Sequence, residues 1–122
     1  IGRSYTTVRF SDITLNRSSI GMDNELVASV TVTNTGDRAG SEVVQLYIRD
    51  LVGSVTRPVK ELKGFEKIYL QPNESRTVRF TIAPEMLKFY NADLKFVAEP
   101  GDFDVMIGPD SRNVKTARFT LR

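Results

Sequence analysis

Two acidic residues, Asp102 and Asp104, have the spacing that carboxylate chemistry would need. Side chains two residues apart on a strand point to the same side, where a carboxylate pair can act as acid and base or bind a cation. They alternate, however, with Phe103, Val105 and Ile107, which is typical of a strand with one buried and one solvated face. A glycosidase pair must flank a bond inside a cleft. We therefore predict that both carboxylates lie on a solvated face and are not catalytic.

The composition excludes several other kinds of active site. The 122 residues include no His and no Cys, so they hold no Ser-His-Asp triad, no Cys-His pair and no zinc site of the usual kind. The glycines are isolated, and none begins a helix after a strand, so no phosphate-binding loop is predicted. We expect this chain to have no catalytic residue, no cofactor and no metal.

Charge and hydropathy exclude two classes of partner. The chain has 17 Lys and Arg against 15 Asp and Glu, a net charge of +2, and the cations are scattered rather than clustered as nucleic-acid binding requires. No stretch approaches the ~18 to 20 apolar residues of a membrane helix, and no segment resembles a signal peptide. We expect no nucleic acid partner and no membrane insertion. Because the chain begins at Ile1 without a Met, we also expect it to be a segment of a longer protein.

The elements that would position any site are read from alternation of apolar and polar residues, the pattern of half-buried strands. Strong alternation covers residues 26–33, 43–48, 77–82, 102–107 and 117–122, and weaker signals cover 5–15, 60–70 and 94–98. Only residues 84–90 favour a helical turn. Seven or eight short strands separated by turns predict an all-β, immunoglobulin-like or fibronectin type III-like sandwich. We predict one domain over residues 1–122, with residues 1–4 as the end of an incoming connection.

Exposed aromatic rings are the usual means by which sandwich domains bind sugars. The chain has no Trp, but Tyr47 and Tyr69 have outward parity and would form a platform if their strands are neighbours. The competing interpretation is that both rings cover a sheet or an interdomain surface while their hydroxyl groups reach water. A carbohydrate-binding role for Tyr47 and Tyr69 is therefore an alternative hypothesis, with polysaccharide as the partner.

Several motifs occur together in an order that matches one known family. They are Gly2–Thr7, Val32–Gly36 followed by Gly40–Tyr47, Arg57–Phe65, Leu70–Ser75 before Val78–Phe80, and Glu99–Phe103 leading to Ile107–Gly108. In this order they resemble the fibronectin type III-like C-terminal domain of family 3 glycoside hydrolases, which include β-glucosidases and β-xylosidases. Arg57–Phe65 is the most distinctive stretch, and the resemblance covers essentially the whole chain. Arg3 stands where the family's opening motif would have Leu, which affects only the packing of that connection.

The resemblance implies an accessory role. In that family a nucleophilic Asp lies on an N-terminal barrel and an acid/base Glu on a following α/β domain, and neither domain is represented here. The resemblance therefore implies that retaining hydrolysis through two carboxylates belongs to a parent β-glycosidase, while this domain packs on its catalytic domains and stabilises them. It also implies a periplasmic or secreted parent. An independent carbohydrate-binding or protein-binding module is the alternative.

One segment supplies residues for such packing. Residues 50–58 read as a loop between two strands, yet they carry three aliphatic side chains where loops are normally polar. These side chains either fold back onto the sandwich or dock against a catalytic domain of the same polypeptide. We expect docking, with an interdomain contact formed by Leu51, Val52, Val55, Arg57 and Pro58.

Overall fold

A computed structural model of the chain describes residues 7–51 and 60–122. The described residues form eleven strands and a single 3-10 turn, Pro84–Leu87. The strands are β1 (Val8–Phe10), β2 (Thr14–Leu15), β3 (Ser19–Ile20), β4 (Leu26–Asn34), β5 (Gly40–Asp50), β6 (Lys60–Leu70), β7 (Ser75–Ile82), β8 (Phe89–Tyr90), β9 (Phe96–Val97), β10 (Gly101–Gly108) and β11 (Lys115–Leu121).

The first sheet is built around β4. On one side β4 pairs antiparallel with β7, from Leu26 opposite Ile82 to Thr33 opposite Ser75. On the other side it pairs with the short strands β1 and β2. The segment that contains β1 and β2 therefore pairs with β4 at two separate places along its length.

The second sheet has the strand order β3-β11-β10-β5-β6. Its pairs are antiparallel except for β3 with β11, which run parallel. One end of this sheet is the 11-residue strand β6, which pairs only with β5 among the described residues. The long strands β5 and β6 contain an irregularity at Leu46 and Tyr47, where the register shifts by one residue.

The core lies between the two sheets, as the alternation predicted. In β4 the burial pattern alternates without a break, and Leu26, Ala28, Val30 and Val32 are almost fully buried. The largest side chains come from β10 and β11, where Phe103 and Phe119 are direct cross-strand partners whose rings stack at 5.5 Å. The all-β sandwich expected from the sequence is confirmed. It has more strands than the seven or eight expected, because the weak signal over residues 5–15 resolves into β1 and β2, and the two-residue strands β3 and β8 form where no strand was predicted.

The outer face of β10 differs from the prediction. Asp104 retains 9% of its surface exposed and Met106 only 3%, so the interpretation of these positions as a solvated face was wrong. β10 is an interior strand, and Met106 lies between Tyr47 and Thr116 on its two neighbours. A side chain with outward parity on an interior strand can therefore still be buried.

The predicted helical turn is shorter than expected. The 3-10 turn begins with Pro84, whose missing N–H costs nothing in the first turn, and Leu87 is its buried residue. The chain then enters a two-stranded hairpin, β8 with β9. Its loop is closed by Asn91, whose side-chain oxygen accepts the N–H groups of Asp93 and Lys95 at 2.9 and 3.1 Å. No helix among the described residues is long and apolar enough to cross a membrane.

Candidate interdomain surface

The outer face of β5 and β6 carries the most unusual side chains of the fold. Antiparallel pairing places Val43 beside Lys67, Gln45 beside Phe65, and Tyr47 beside Leu62. Directly opposite residues project to the same side of a sheet. Because Val44, Leu46 and Ile48 point into the core, these pairs point away from it. The pairing therefore places apolar and polar side chains next to each other on the outer face.

The apolar members of this face are exposed. The exposed fractions are 39% for Val43, 52% for Leu62, 69% for Phe65 and 53% for Tyr69. We call these four residues the β5–β6 patch. They are half of the eight large hydrophobic residues that are exposed in the described part of the chain, so exposed apolar surface is concentrated here. Apolar clusters of this kind on an edge strand are typical of surfaces that contact another protein.

The register irregularity helps to create the patch. With strict alternation along β6, Leu62 would share a face with the inward-pointing Ile68 and Leu70. The shift between Leu46 and Tyr47 pairs Gly64 with Leu46 and Leu62 with Tyr47, which returns Leu62 to the outer face. Bulges commonly re-aim side chains at sheet edges in this way.

Tyr47 and Tyr69 lie on neighbouring strands, but the structure does not bring them together. Tyr69 pairs with Ser41 and Tyr47 with Leu62, so six residues of β5 separate the two rows, about 20 Å at the usual rise per residue. Tyr47 is half-buried, its hydroxyl donates to the Gln45 side chain, and the Lys60 ammonium lies 5.9 Å from its ring centroid. Tyr69 is exposed and belongs to the β5–β6 patch.

The predicted loop contact falls largely outside the described residues. Val52, Val55, Arg57 and Pro58 are not among them. Leu51 is described, is half-buried, and donates its backbone N–H to the Asp102 carbonyl at 3.0 Å. This contact places the start of the loop beside the first residues of β10.

The candidate carboxylates of β10 are engaged in contacts between strands. Asp104 accepts from the Arg118 Nε at 3.2 Å, and Asp102 accepts from the Thr120 hydroxyl at 2.8 Å. Both partners lie directly opposite on β11. The pair thus stabilises strand pairing. In residues 7–51 and 60–122, no three acidic side chains converge as a metal site would require.

Three acidic groups have shifted pKa values. Burial raises the pKa of Glu42 on β5. The Gln71 backbone N–H lowers the pKa of Glu74 in one turn, and the Asn113 side chain lowers that of Asp110 in another. Hydrolysis by a carboxylate pair needs two such groups facing one cleft. Glu42 lies on a strand, whereas Glu74 and Asp110 lie in two different turns.

A second exposed apolar feature lies on the β8–β9 hairpin, and the sequence reasoning missed it. Tyr90 and Phe96 are cross-strand partners with ring centroids 4.9 Å apart, and they are 65% and 51% exposed. Beside them an open cleft of about 500 Å³ is lined by Met22, Pro84, Glu85, Lys88 and residues 96–98. The sequence signal that could have revealed this feature is the position of Tyr90 and Phe96 on either side of a short turn.

Comparison with known proteins identifies the family. The model of the fibronectin type III-like domain matches residues 42–111, from β5 through β10 into the following turn. The chain belongs to the fibronectin type III-like domain family. This confirms the resemblance that the sequence motifs carry.

The domain is similar over its full length to parts of larger enzymes. It is 52% identical over 120 residues to a periplasmic β-glucosidase of Salmonella typhimurium, covering 98% of this chain and 16% of that protein. It is 50% identical over 121 residues to a putative β-xylosidase of Formosa agariphila, covering 99% of this chain and 16% of that protein. The domain therefore spans about one sixth of the length of the curated relatives that it matches.

Solved structures contain the same domain. A β-glucosidase from Erythrobacter marinus superposes with a TM-score of 0.90 at 47% identity, covering 100% of this chain and 16% of that one. A β-glucosidase from Listeria innocua in complex with gluconolactone gives a TM-score of 0.88 at 38% identity, with 99% and 17% covered. In each case the domain is a small part of a longer polypeptide.

Proposed function

We propose that this chain is a non-catalytic accessory domain of a retaining β-glycosidase, and that it packs on the catalytic domains and stabilises them. The observation that carries the proposal is the concentration of exposed apolar side chains on the outer face of β5 and β6. The relatives support the parent class, because β-glucosidases and β-xylosidases match the domain over one sixth of their length. The parent's hydrolytic carboxylates then lie in domains that this chain does not contain.

A domain exchange tests this function. The segment of the Salmonella β-glucosidase that matches this chain is deleted, or replaced either by this chain or by an unrelated fibronectin type III domain. We expect deletion and the unrelated domain to abolish soluble, active enzyme, and this chain to restore both. Failure of this chain to restore folding would contradict the proposal. So would hydrolysis of an aryl β-glucoside or β-xyloside by the purified 122-residue chain.

We propose that the loop before β6 takes part in the packing, through Leu51, Val52, Val55, Arg57 and Pro58. The aliphatic content of this loop motivates the proposal. Leu51→Ser with Val55→Ser should lower the melting temperature of the exchanged enzyme more than that of the isolated chain. An equal loss of melting temperature in the exchanged enzyme and in the isolated chain would contradict this proposal.

We propose a periplasmic or secreted compartment for the parent. The support is the Salmonella relative, which is named as periplasmic. Fractionation of the source cells, with an antibody raised against the purified domain, tests this proposal. Recovery of the protein in the cytoplasmic fraction would contradict it.

The exposed Tyr90–Phe96 pair favours carbohydrate binding as a second candidate function, because aromatic rings stack on sugar faces and Phe96 lines an open cleft. Affinity electrophoresis of the chain in soluble glucans and xylans provides the test. If the glucans or xylans retard the chain and Tyr90→Ala abolishes the retardation, the result supports this site. If Tyr47→Ala abolishes the retardation instead, the result supports the Tyr47 site considered from the sequence. Unretarded migration would exclude both.

A further inference from the structure

An open cleft formed by β1 and the connection between β10 and β11 brings together three cations. Arg9, Arg112 and Lys115 line this cleft, which has a volume of about 510 Å³, and all three residues are exposed. We call this feature the basic cleft. It shares no residue with the β5–β6 patch or with the β8–β9 hairpin. The apolar part of its lining is formed by Val8, Phe10, Pro109 and Val114.

Both sheets contribute to the basic cleft. Arg9 lies on β1, which pairs with β4 in the first sheet, and Lys115 is the first residue of β11 in the second. Arg112 lies in the connection, where the Asp110 carboxylate accepts the backbone N–H groups of Arg112 and Asn113 at 2.8 and 2.9 Å. These hydrogen bonds fix the backbone that carries Arg112, so the fold itself places this cation opposite β1.

The positive charge of the cleft is only partly neutralised. The Lys115 ammonium lies 3.8 Å from Asp12 Oδ1, and the Asp12 side chain is 97% exposed, so this pair contributes little. Arg9 and Arg112 form no ion pair with the described residues, which include all 15 Asp and Glu of the chain. Asp110 lies near Arg112, but both of its oxygens already accept hydrogen bonds within the turn. Two guanidinium groups are therefore available to an anionic ligand.

We propose that the basic cleft binds the carboxylates of an acidic polysaccharide built from uronic acid residues. An arginine guanidinium matches a carboxylate as a planar fork that donates two parallel hydrogen bonds. A uronic acid ring also presents C–H groups beside its carboxylate, and these fit the half-buried Val8, Phe10 and Val114. This binding site goes beyond the proposed accessory role and does not depend on it.

The composition of the cleft argues against two other anionic ligands. Single-stranded nucleic acid is usually held in a longer basic groove that also offers aromatic rings on which bases stack. In the basic cleft the ring is Phe10, and it packs against the core. A small ion such as sulfate would fill only a fraction of a volume of about 510 Å³ and would leave the apolar lining in water. Cations beside apolar surface match a ligand that carries an acidic group on a carbon ring.

A titration of the isotope-labelled 122-residue chain, followed by NMR, tests this proposal. The probes are oligogalacturonate, a neutral gluco-oligosaccharide of equal length, sodium sulfate and a single-stranded oligonucleotide, all at one ionic strength. We expect saturable shifts at residues 8–10 and 109–115 with oligogalacturonate, and none with the neutral oligosaccharide. Sulfate and the oligonucleotide should bind more weakly than oligogalacturonate.

Substitutions that remove one charge at a time give the matched comparison. Arg9→Gln and Arg112→Gln should each weaken oligogalacturonate binding about fivefold or more, because each removes a charge-assisted pair. The control is Arg79→Gln, which removes the same charge from an exposed position on β7 outside the cleft. It should change the affinity by less than about twofold, because salt screens distant exposed charges. If Arg9→Gln does not fold, Arg9→Lys keeps the charge, loses the planar fork and should still weaken binding.

Five results would overturn the proposal. Equal weakening by Arg79→Gln would show attraction to the overall charge of the chain. Sulfate that shifts the same residues as tightly as oligogalacturonate would indicate an adventitious ion only. Tighter binding of the oligonucleotide would assign the cleft to nucleic acid, and equal binding of the neutral oligosaccharide would show that the carboxylates are not recognised. Unshifted spectra with oligogalacturonate would show that the cleft does not bind this ligand.

Discussion

The side-chain amide of Asn34 donates to the backbone carbonyl of Leu70 at 3.2 Å, and so joins the end of β4 in one sheet to the end of β6 in the other. The same nitrogen donates to the Arg38 carbonyl at 2.7 Å, and the side-chain oxygen accepts the Gly36 N–H at 2.9 Å. Asn34 has no exposed surface. A buried amide satisfied in this way fixes where the two sheets meet, because each partner would otherwise lack a hydrogen bond.

Replacing Asn34 should therefore be costly. Asn34→Ala leaves the buried Leu70 carbonyl, the part-buried Arg38 carbonyl and the Gly36 N–H without this side-chain partner, and we expect a loss of about 3 kcal/mol in the free energy of unfolding. Urea denaturation measures it. The control is Asn16→Ala, which removes one exposed hydrogen bond to the Val27 N–H and should cost about 1 kcal/mol. Equal losses for the two variants would contradict the joining role of Asn34.

Asn34→Asp separates geometry from charge, because it keeps the shape and loses the donors. A carboxylate buried against two carbonyls would have its folded-state pKa raised. The stability that such a group contributes is fully present below its unfolded pKa and is lost as pH rises through the folded pKa. We expect the deficit of Asn34→Asp relative to the unsubstituted chain to grow between about pH 4 and pH 8. A deficit independent of pH in urea titrations would contradict this account.

Gly108 ends β10 in a position that only glycine fits. A Cβ at this residue would lie 2.0 Å from the Asn113 carbonyl oxygen, and backbone cannot yield as a flexible side chain does. We expect Gly108→Ala to cost about 3 kcal/mol or more. At Gly21 the nearest atoms to an added Cβ are all 3.6 Å away, so Gly21→Ala should change stability by less than about 0.5 kcal/mol. Thermal unfolding of both variants checks the contrast.

Leu94 occupies a conformation that leucine disfavours. Its φ is 60° and 81% of its surface is exposed, so its side chain gains little from packing. Glycine removes the strain of the left-handed region at some cost in unfolded-state entropy, and Leu94→Gly should stabilise the chain by about 0.5 kcal/mol. Asn73 has a φ of 66°, but asparagine tolerates this region. Asn73→Gly should therefore give no gain, and a comparable gain at both positions would argue against strain at Leu94.

Asp110 should make stability depend on pH. Hydrogen bonds from the Asn113 side chain, and then from backbone N–H groups, hold the pKa of this carboxyl below its usual range. A lowered folded pKa contributes stability that is present above the unfolded pKa and lost as pH falls through the folded one. Asp110→Asn removes the titration and keeps one acceptor. The free energy of unfolding of Asp110→Asn should fall below that of the unsubstituted chain by the largest amount near neutral pH. This difference should shrink below about pH 4. A constant deficit would refute the assignment.

Local pattern was sufficient to predict the sandwich and most of its core. Leu26, Val30, Phe103 and Phe119 are buried, as the alternation of residues 26–33, 102–107 and 117–122 predicts, because alternation distinguishes the two faces of a strand. The family also followed from motifs along the chain, and the family match confirms it. The buried polar role of Asn34 could not be seen, because in sequence it stands among turn residues and its partner Leu70 is 36 residues away.

The candidate surface depended on pairing that the sequence does not reveal. Residues 60–70 gave only a weak strand signal, and the register shift decides which face receives Leu62. Tyr47 and Tyr69 have the same parity, yet the antiparallel register places their rows far apart. The amino-acid sequence alone determined the strands, their buried faces and the family, since these depend on neighbours along the chain. Only the tertiary structure decided what covers Met106, what Asn34 joins and which apolar side chains remain exposed on β6, because exposure depends on which strand lies beside each residue.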